Sequence, residues 1–406
     1  MSSFDLKDKI LVLRYSRLGR LPPALYETEI LQESGFPVLV FEFAVGDDIT
    51  RNISGNIPKL RYSVPRTFLK FGKLSPILTL LWKGYQLIKL VRKSGKPRII
   101  VSHGLQESCL ALFMNWLYGI KFVIHAHEVF ERHELSPLNQ FFLKIERLAF
   151  QHASFAIFPE KRRAVLYRRS YRFTCPIFLV ANAPRKNLTS QKSDLRQTLG
   201  LKPADKILYY VGGVGLNNVL EEAIEALKEI PQLHFVIWGW GEASYLEELK
   251  ALATHHRVSK RVHLLGILDE GKWENLNACD ISYCVYRPLS LRLKYPVTAS
   301  NKFMEALALG KPVITSNEKP FKDFLAKYPV GQPIKDYTPK AITAALRSLL
   351  ADSQNFQECS NRGKIAYQTE FHYERQFEDA LKAFQMLYGK KAYNDLPKQI
   401  KAFVNL

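Results

Sequence analysis

Short, almost wholly apolar runs alternate with stretches of helical period along most of the chain. KILVLRY opens the series at strand length. A polar loop (Ser16 to Pro23) follows, then a helical pattern from Ala24 to Glu33 that stops at Gly35, then the strand PVLVFEF. PRIIVSHG reads as a buried strand ending at Ser102-His103-Gly104, followed by the helix ESCLALFMNWLYG and the strand KFVIHAHE. FFLKIERLAFQHA predicts a helix, and SFAIFPE and IFLVANAP predict further strands. Strands alternating with helices imply βαβ units, a parallel sheet and right-handed crossovers.

After Ala181 the pattern restarts. NAPRKNLTSQKSDLRQTLGLKPADK is polar and carries Pro184 and Pro203, as a crossing between domains would. KILYYVGG, LHFVIWGWG, RVHLLG, ISYCVY and KPVITS predict strands. VLEEAIEALKEI, SYLEELKALATHH, WENLNACD and KFMEALALG predict the helices between them, and YERQFEDALKAFQMLYGKK a final one. The expected fold class is α/β: two doubly wound, Rossmann-like domains facing across a cleft. The expected boundaries are residues 1–184 and 185–371, with 372–406 as a helix and tail packing back on the first domain. Ligands of such sheets sit outside the carboxyl ends of the strands.

Composition narrows the class. The chain has 406 residues, 47% of them hydrophobic, enough for two cores and too apolar for disorder. The five cysteines are scattered without CxxC spacing, so small buried thiols in a reducing compartment are expected rather than disulfides. Neither a signal-peptide pattern nor a membrane-spanning apolar run is visible, and the cytoplasm is the expected location. The formal net charge is +20, and it is uneven. Arg51 to Arg98 holds twelve basic residues and no acidic one. Within it Thr79, Lys83, Gln86, Lys89 and Lys93 form a stripe at helical spacing among apolar residues. A basic amphipathic helix suits an anionic membrane surface, with Lys161, Arg162, Arg163, Arg168, Arg169 and Arg172 as a second cluster. A solvated basic face over a sheet is the plainer alternative. No nucleic-acid module accompanies the charge, so no nucleic-acid partner is expected.

The strongest chemical candidate is Ser300-Asn301-Lys302-Phe303-Met304-Glu305, a loop entering a helix that ends at Gly310. A helix start gathers unpaired N–H groups and the positive end of a dipole, which suits a diphosphate. Either Ser300 or Asn301 can cap it, Lys302 adds a point charge, and Glu305 lies one turn in, able to accept from ribose hydroxyls. On spacing alone Glu305 could instead simply favour the dipole. SNKFMEALALGKPVI resembles the donor-site signature of family-4 glycosyltransferases, in the branch that has SNK or PNK at the helix start. YYVGGVGLNNVLEEAIEAL, LHFVIWGWGE, RVHLLGIL and ACDISYCVYRP are similar to that family's successive donor-domain segments. RIIVSHG, KFVIHAHEVF and IFLVANAPR match in the first half.

The resemblance implies a GT-B architecture with an acceptor-side first domain and a donor-binding second one. It implies a retaining, metal-independent enzyme that moves a sugar from a nucleoside-diphosphate sugar to a lipid-linked or polysaccharide acceptor. No cofactor beyond the donor is implied, and the enzyme would work peripherally at the inner face of the membrane. Donor contacts would come from Gly213, Gly215, Gly239, Gly241, Gly266, Ile267, Ser300, Asn301, Lys302 and Glu305. His127, Lys302 and Glu305 would carry the chemistry, with Gly19, His103 and Glu128 on the acceptor side. Three departures stand out. Val297 occupies the place of a first glutamate, the loop Gly212–Asn218 has no positive charge, and PLSLRLKYPVTA lengthens the approach to the signature. Diphosphate charge would then fall to Lys302, the helix start, and Arg287, Arg292 or Lys294.

His125 and His127 share a strand face and could suggest a metal pair, but no Cys or third His stands at ligand spacing, so no metal is expected. The absence of DxD, of GxxxxGK[ST] and of GxSxG argues against a metal-bridged diphosphate, a P-loop and an α/β-hydrolase. Two other functions suit the same layout: a nucleotide-sugar epimerase and a catalytically silent binding subunit.

Overall fold

A computed structural model describes residues 5–15, 21–44, 57–128, 137–188, 193–268 and 271–389. Its described residues form two compact units, one drawn from Met1–Ala181 and Gln376–Leu406, the other from Asn182–Arg375.

The first unit holds seven strands: β1 (Ile10–Tyr15), β2 (Val38–Ala44), β3 (Lys59–Ser63), β4 (Ile99–Ser102), β5 (Lys121–His125), β6 (Phe155–Phe158) and β7 (Ile177–Leu179). They lie in the order β3-β2-β1-β4-β5-β6-β7, every pair parallel. β4 and β6 are buried at every residue, as strands covered on both faces must be. The helix Tyr373–Tyr388 reaches this unit through its second half. Phe384 meets Phe155 edge-on with ring centroids 5.0 Å apart, and Tyr388 Oη donates to the Asp8 carbonyl at 2.5 Å.

The second unit holds β8 (Lys206–Val211), β9 (Leu233–Trp238), β10 (Val262–Leu264), β11 (Ile281–Cys284), β12 (Val313–Thr315) and β13 (Gly331–Pro333). Their order is β10-β9-β8-β11-β12-β13, again all parallel. Two doubly wound α/β units are what the alternation predicted. The pattern missed β3, whose KLRYS sequence is an edge strand nowhere fully buried, and β13, whose GQP is three residues long. All five cysteines are free and four are buried, and no described helix is long and apolar enough to cross a membrane.

The basic helix Ser75–Ser94 corrects one expectation. Thr79 and Lys83, placed on the outer stripe by period, are buried, while Leu74, Leu81 and Tyr85 are exposed. The reason is electrostatic. Lys83 Nζ donates to Glu107 Oε1 at 3.1 Å and Gln106 Oε1 at 2.9 Å, and it lies 4.2 Å from the Tyr15 ring centroid. A buried ammonium with a carboxylate and two aromatic faces is tolerable inside the unit, so the first part of the stripe, Thr79 and Lys83, turns inward. Lys89, Arg92 and Lys93 stay exposed beside the apolar outer face.

Removing one partner of this pair strands the other charge. Glu107→Ala is expected to cost the first unit about 3–5 kcal/mol. Lys83→Met combined with Glu107→Leu should cost less than Glu107→Ala alone. Equilibrium urea unfolding of the three proteins reads the difference.

Candidate functional site

In the second unit the candidate residues gather at the carboxyl ends of β8, β9, β10 and β11. The helix Asn301–Leu309 is capped by Ser300, whose Oγ accepts from Phe303 N at 3.3 Å. Tyr286 Oη lies 2.6 Å from the same Oγ and holds it in place. Of the two candidate caps the structure uses Ser300 rather than Asn301. Gly310, at φ 63°, closes the far end in the left-handed conformation.

Lys302 turns inward, its Nζ 3.6 Å from the ring centroid of Tyr210 and 4.9 Å from that of Tyr286. Burial pushes its pKa down to about 7, against the opposing pull of Cys284 and Glu305. No carboxylate lies within ion-pair distance of it among the described residues. Glu305 is buried one turn along, and its Oε1 accepts from Lys272 Nζ at 2.6 Å. Lys272 was missed in the sequence, since nothing in spacing links two residues 33 positions apart.

The glycines divide. Gly213 and Gly215 have open space where a Cβ would stand. Their loop is held by Tyr210 Oη donating to the Gly213 carbonyl at 2.5 Å and by Asn218 Nδ2 donating to the same oxygen at 2.9 Å. A Cβ on Gly239 would lie 1.8 Å from the Gly212 carbonyl oxygen, and one on Gly241 would lie 2.4 Å from that of Val214. These two glycines therefore serve a close approach between two loops of the protein, where the sequence suggested an approach to a ligand. Gly266 has φ 69° and its carbonyl accepts from Gly239 N at 2.7 Å, while Ile267 and Trp240 beside them are exposed.

Of the auxiliary cations, Arg287 is committed elsewhere, paired with Glu222 and 5.6 Å from the Tyr337 ring. Arg292 and Lys294 are exposed on the short helix Leu291–Lys294. Val297 is buried, as suits its side chain better than a carboxylate. The uncharged loop has its charge nearby after all: Lys302 Nζ lies 3.6 Å from the position a Gly212 Cβ would take.

In the first unit His103, His125 and His127 come together. His103 Nδ1 and His127 Nε2 share a hydrogen bond of 2.9 Å, and the His125 and His127 rings stack at 4.0 Å. Burial holds His103 and His127 well below the usual imidazole range, helped by His125 and Arg14. Glu27, absent from the sequence candidates, sets Oε2 at 2.6 Å from His125 Nδ1. This corrects the reading that no third histidine accompanies the pair; His103 arrives from the neighbouring strand. Glu128 is exposed and its carbonyl accepts from Tyr167 Oη at 3.3 Å. Gly19 lies outside the described residues, as does the start of the basic segment at residues 51–56.

Residues 191–369 match the family model described as Glycosyl transferases group 1. The second unit carries a glycosyltransferase domain. The chain is an enzyme of glycosyl transfer, and its fold has close counterparts among solved structures. Sucrose-phosphate synthase from Thermosynechococcus elongatus is 18% identical over 94% of this chain and 100% of its own, with a TM-score of 0.71. HepE of Anabaena, in complex with UDP and glucose, is 16% identical over 93% and 99%, at 0.72. WaaG, a glycosyltransferase involved in lipopolysaccharide biosynthesis, is 14% identical over 94% and 100%, at 0.66. At these identities the likeness is one of fold. No curated protein matches the sequence.

The glycosyltransferase domain supplies a test of its glycine loops. Gly239→Ala forces a methyl into the Gly212 backbone and is expected to cost about 1–3 kcal/mol, the range for overpacking. Gly213→Ala, facing open space, should melt within a degree or two of wild type. Thermal unfolding separates them.

Proposed function

We propose that the enzyme moves a sugar from a nucleoside-diphosphate sugar to a lipid-linked or polysaccharide acceptor at an anionic membrane surface. The observation that carries this reading is Lys302: a half-buried, desolvated ammonium at a capped helix start, against two ring faces, with no carboxylate within ion-pair distance among the described residues. A diphosphate supplies the missing counter-charge, and the free N–H groups of the same helix start add to it. As the sugar–phosphate bond breaks, negative charge grows on the leaving diphosphate. A fixed cation in a dry site stabilises that charge more than it stabilises the substrate. No DxD occurs in the sequence, so Lys302 and the helix start take the place of a diphosphate metal ion. Glu305 accepts from the ribose hydroxyls, oriented by Lys272. Exposed Ile267 and Trp240 flank the base, with the Gly266 backbone at its edge. Retention of the anomeric configuration follows from the family that the signature resembles, and a structural relative crystallised with UDP and glucose supports the donor class. No cofactor beyond the donor takes part.

A panel of UDP, GDP and ADP sugars should give one that raises the melting temperature saturably. Glu305→Ala and Lys302→Met should lose the response. Silence across the panel would overturn the reading. Donor converted in the absence of any acceptor would make the enzyme an epimerase, and binding without turnover a silent subunit.

The lysine makes the donor reading pH-dependent. Its free-state pKa near 7 must rise when a diphosphate arrives, so binding takes up a proton between about pH 7 and 10. Affinity should be constant below pH 7 and fall by up to about tenfold per pH unit above it. Calorimetric titration in two buffers of different ionisation enthalpy measures the uptake directly. A pH-independent affinity from 7 to 9 would refute the role given to Lys302.

The membrane side rests on the outer face of Ser75–Ser94, with Leu74, Leu81 and Tyr85 exposed beside Lys89, Arg92 and Lys93. The enzyme should sediment with vesicles containing anionic lipid and stay in the supernatant with neutral ones. Leu81→Asp with Tyr85→Ser should release it without changing the melting temperature. Equal recovery from both vesicle types would count against this surface.

A further inference from the structure

The histidine cluster of the first unit has a chemistry that the donor reading does not use. His103 ends its loop beside β4, His125 closes β5, and His127 lies two residues further on. Each offers one ring nitrogen, and the three nitrogens lie within 4.8 Å of one another. We propose that His103, His125 and His127 together bind one divalent first-row transition metal ion, zinc being the type, with Glu27 as the carboxylate that orients His125.

Four observations carry this. First, the cluster is not satisfied by the protein. Glu27 Oε1, His103 Nε2, His125 Nε2 and His127 Nδ1 are buried with no hydrogen-bond partner. Buried polar groups are nearly always paired, so this cluster has bonding capacity that the protein itself does not meet. Second, His103 and His125 are fully buried, and the strands β4 and β5 that bring them to the same edge are directly paired, so the rings are held in place. Third, the donor set is imidazole with one carboxylate nearby. That set suits zinc and its neighbours, and is wrong for calcium or magnesium, which take oxygen. Fourth, outer partners are in place. Glu27 Oε2 lies 2.6 Å from His125 Nδ1 and 3.5 Å from His103 Nε2. Arg14 Nη1 donates to the His103 carbonyl at 3.0 Å and Arg163 Nη1 to the His127 carbonyl at 3.1 Å, which pins both backbones. Carboxylate–histidine–metal arrangements of this kind fix the ligand's tautomer and raise its basicity.

The proton balance is simple. The hydrogen between His103 Nδ1 and His127 Nε2 must leave the space the ion takes. It can move to the other nitrogen of its ring; on His103 that nitrogen faces Glu27, so no net proton need be released. Arg14, which lines the same cavity, opposes a second positive charge, and the Glu27 carboxylate offsets it. A cavity of about 140 Å³ lined by Arg14, Leu21, Gly104 and the three histidines gives the ion a way in.

The test uses the untagged full-length chain, stripped with chelator and dialysed against ZnCl2 or CoCl2. Elemental analysis should find one zinc per chain, and the cobalt protein should show the intense visible bands of a low-coordinate nitrogen site. His125→Ala and His103→Ala should each lose the metal, and Glu27→Gln should bind it about 10- to 100-fold more weakly. His234→Ala, which alters the paired His234 and His263 of the other unit, should bind as wild type does. The cobalt spectrum is read on the wild-type protein, so it stands even where a variant folds poorly. Metal well below one equivalent on wild type, or a folded His125→Ala/His127→Ala protein that binds as tightly as wild type, would overturn the proposal.

Discussion

Parallel pairing governs everything else in this molecule. Within each described sheet every strand leaves by the same edge, and every following helix begins there. Strand ends carry exposed loop backbone and helix starts carry unpaired N–H groups, so polar chemistry collects at that edge whatever the side chains. Ser300, Lys302 and the loops after β8 and β9 stand at that edge of the second sheet. His103, His125 and His127 stand at that edge of the first. The strands themselves contribute little chemistry, because they are covered on both faces and must be apolar.

Two desolvated lysines, Lys83 buried and Lys302 half-buried, show how a similar cost leads to different roles. Lys83 has Glu107, Gln106 and two ring faces, and its charge is answered inside the protein. Lys302 has two ring faces and, among the described residues, no carboxylate within ion-pair distance, and its pKa falls to about 7. A charge that folding leaves unanswered is one that a ligand can answer. The first lysine therefore fixes which way a helix faces, and the second is the one to which the proposed reading assigns an anion. Glu305 would be the obvious internal partner for Lys302, but Lys272 holds its carboxylate instead.

The order of elements was legible in the sequence because strands buried on both faces read as short apolar runs. β3 and β13 were not, one being a half-polar edge and the other three residues long. The helix start at Ser300 was legible because a cap, a lysine and a glutamate fall within one turn. The pairing of Glu305 with Lys272 was not, since it joins separate elements. Period showed that Thr79 and Lys83 share a helix face and could not show that the face points inward; that depended on Glu107, 24 positions away. The glycines of the WGWG turn were legible as a place where something comes close, and only the fold shows that the visitor is the Gly212 backbone. The third histidine was hidden for the same reason, as His103 follows β4 and His125 closes the neighbouring β5.

The inward turn of Thr79 and Lys83 also changes what the net charge of +20 means. Were the outer face a row of lysines, attraction to an anionic surface would be wholly electrostatic, at about 1 kcal/mol per basic residue, and salt would abolish it. The outer face instead presents Leu74, Leu81 and Tyr85, with Lys89, Arg92 and Lys93 alongside. Fully burying one such side chain is worth about 1.5–3 kcal/mol, and that part is indifferent to ionic strength. On the proposed membrane reading, charge would select the surface and bring the enzyme to it, while apolar burial would keep it there. A neutral membrane lacks the first step, and an exposed row of lysines would lack the second. The inward turn of Lys83, forced by a buried carboxylate, is what allows both on one helix.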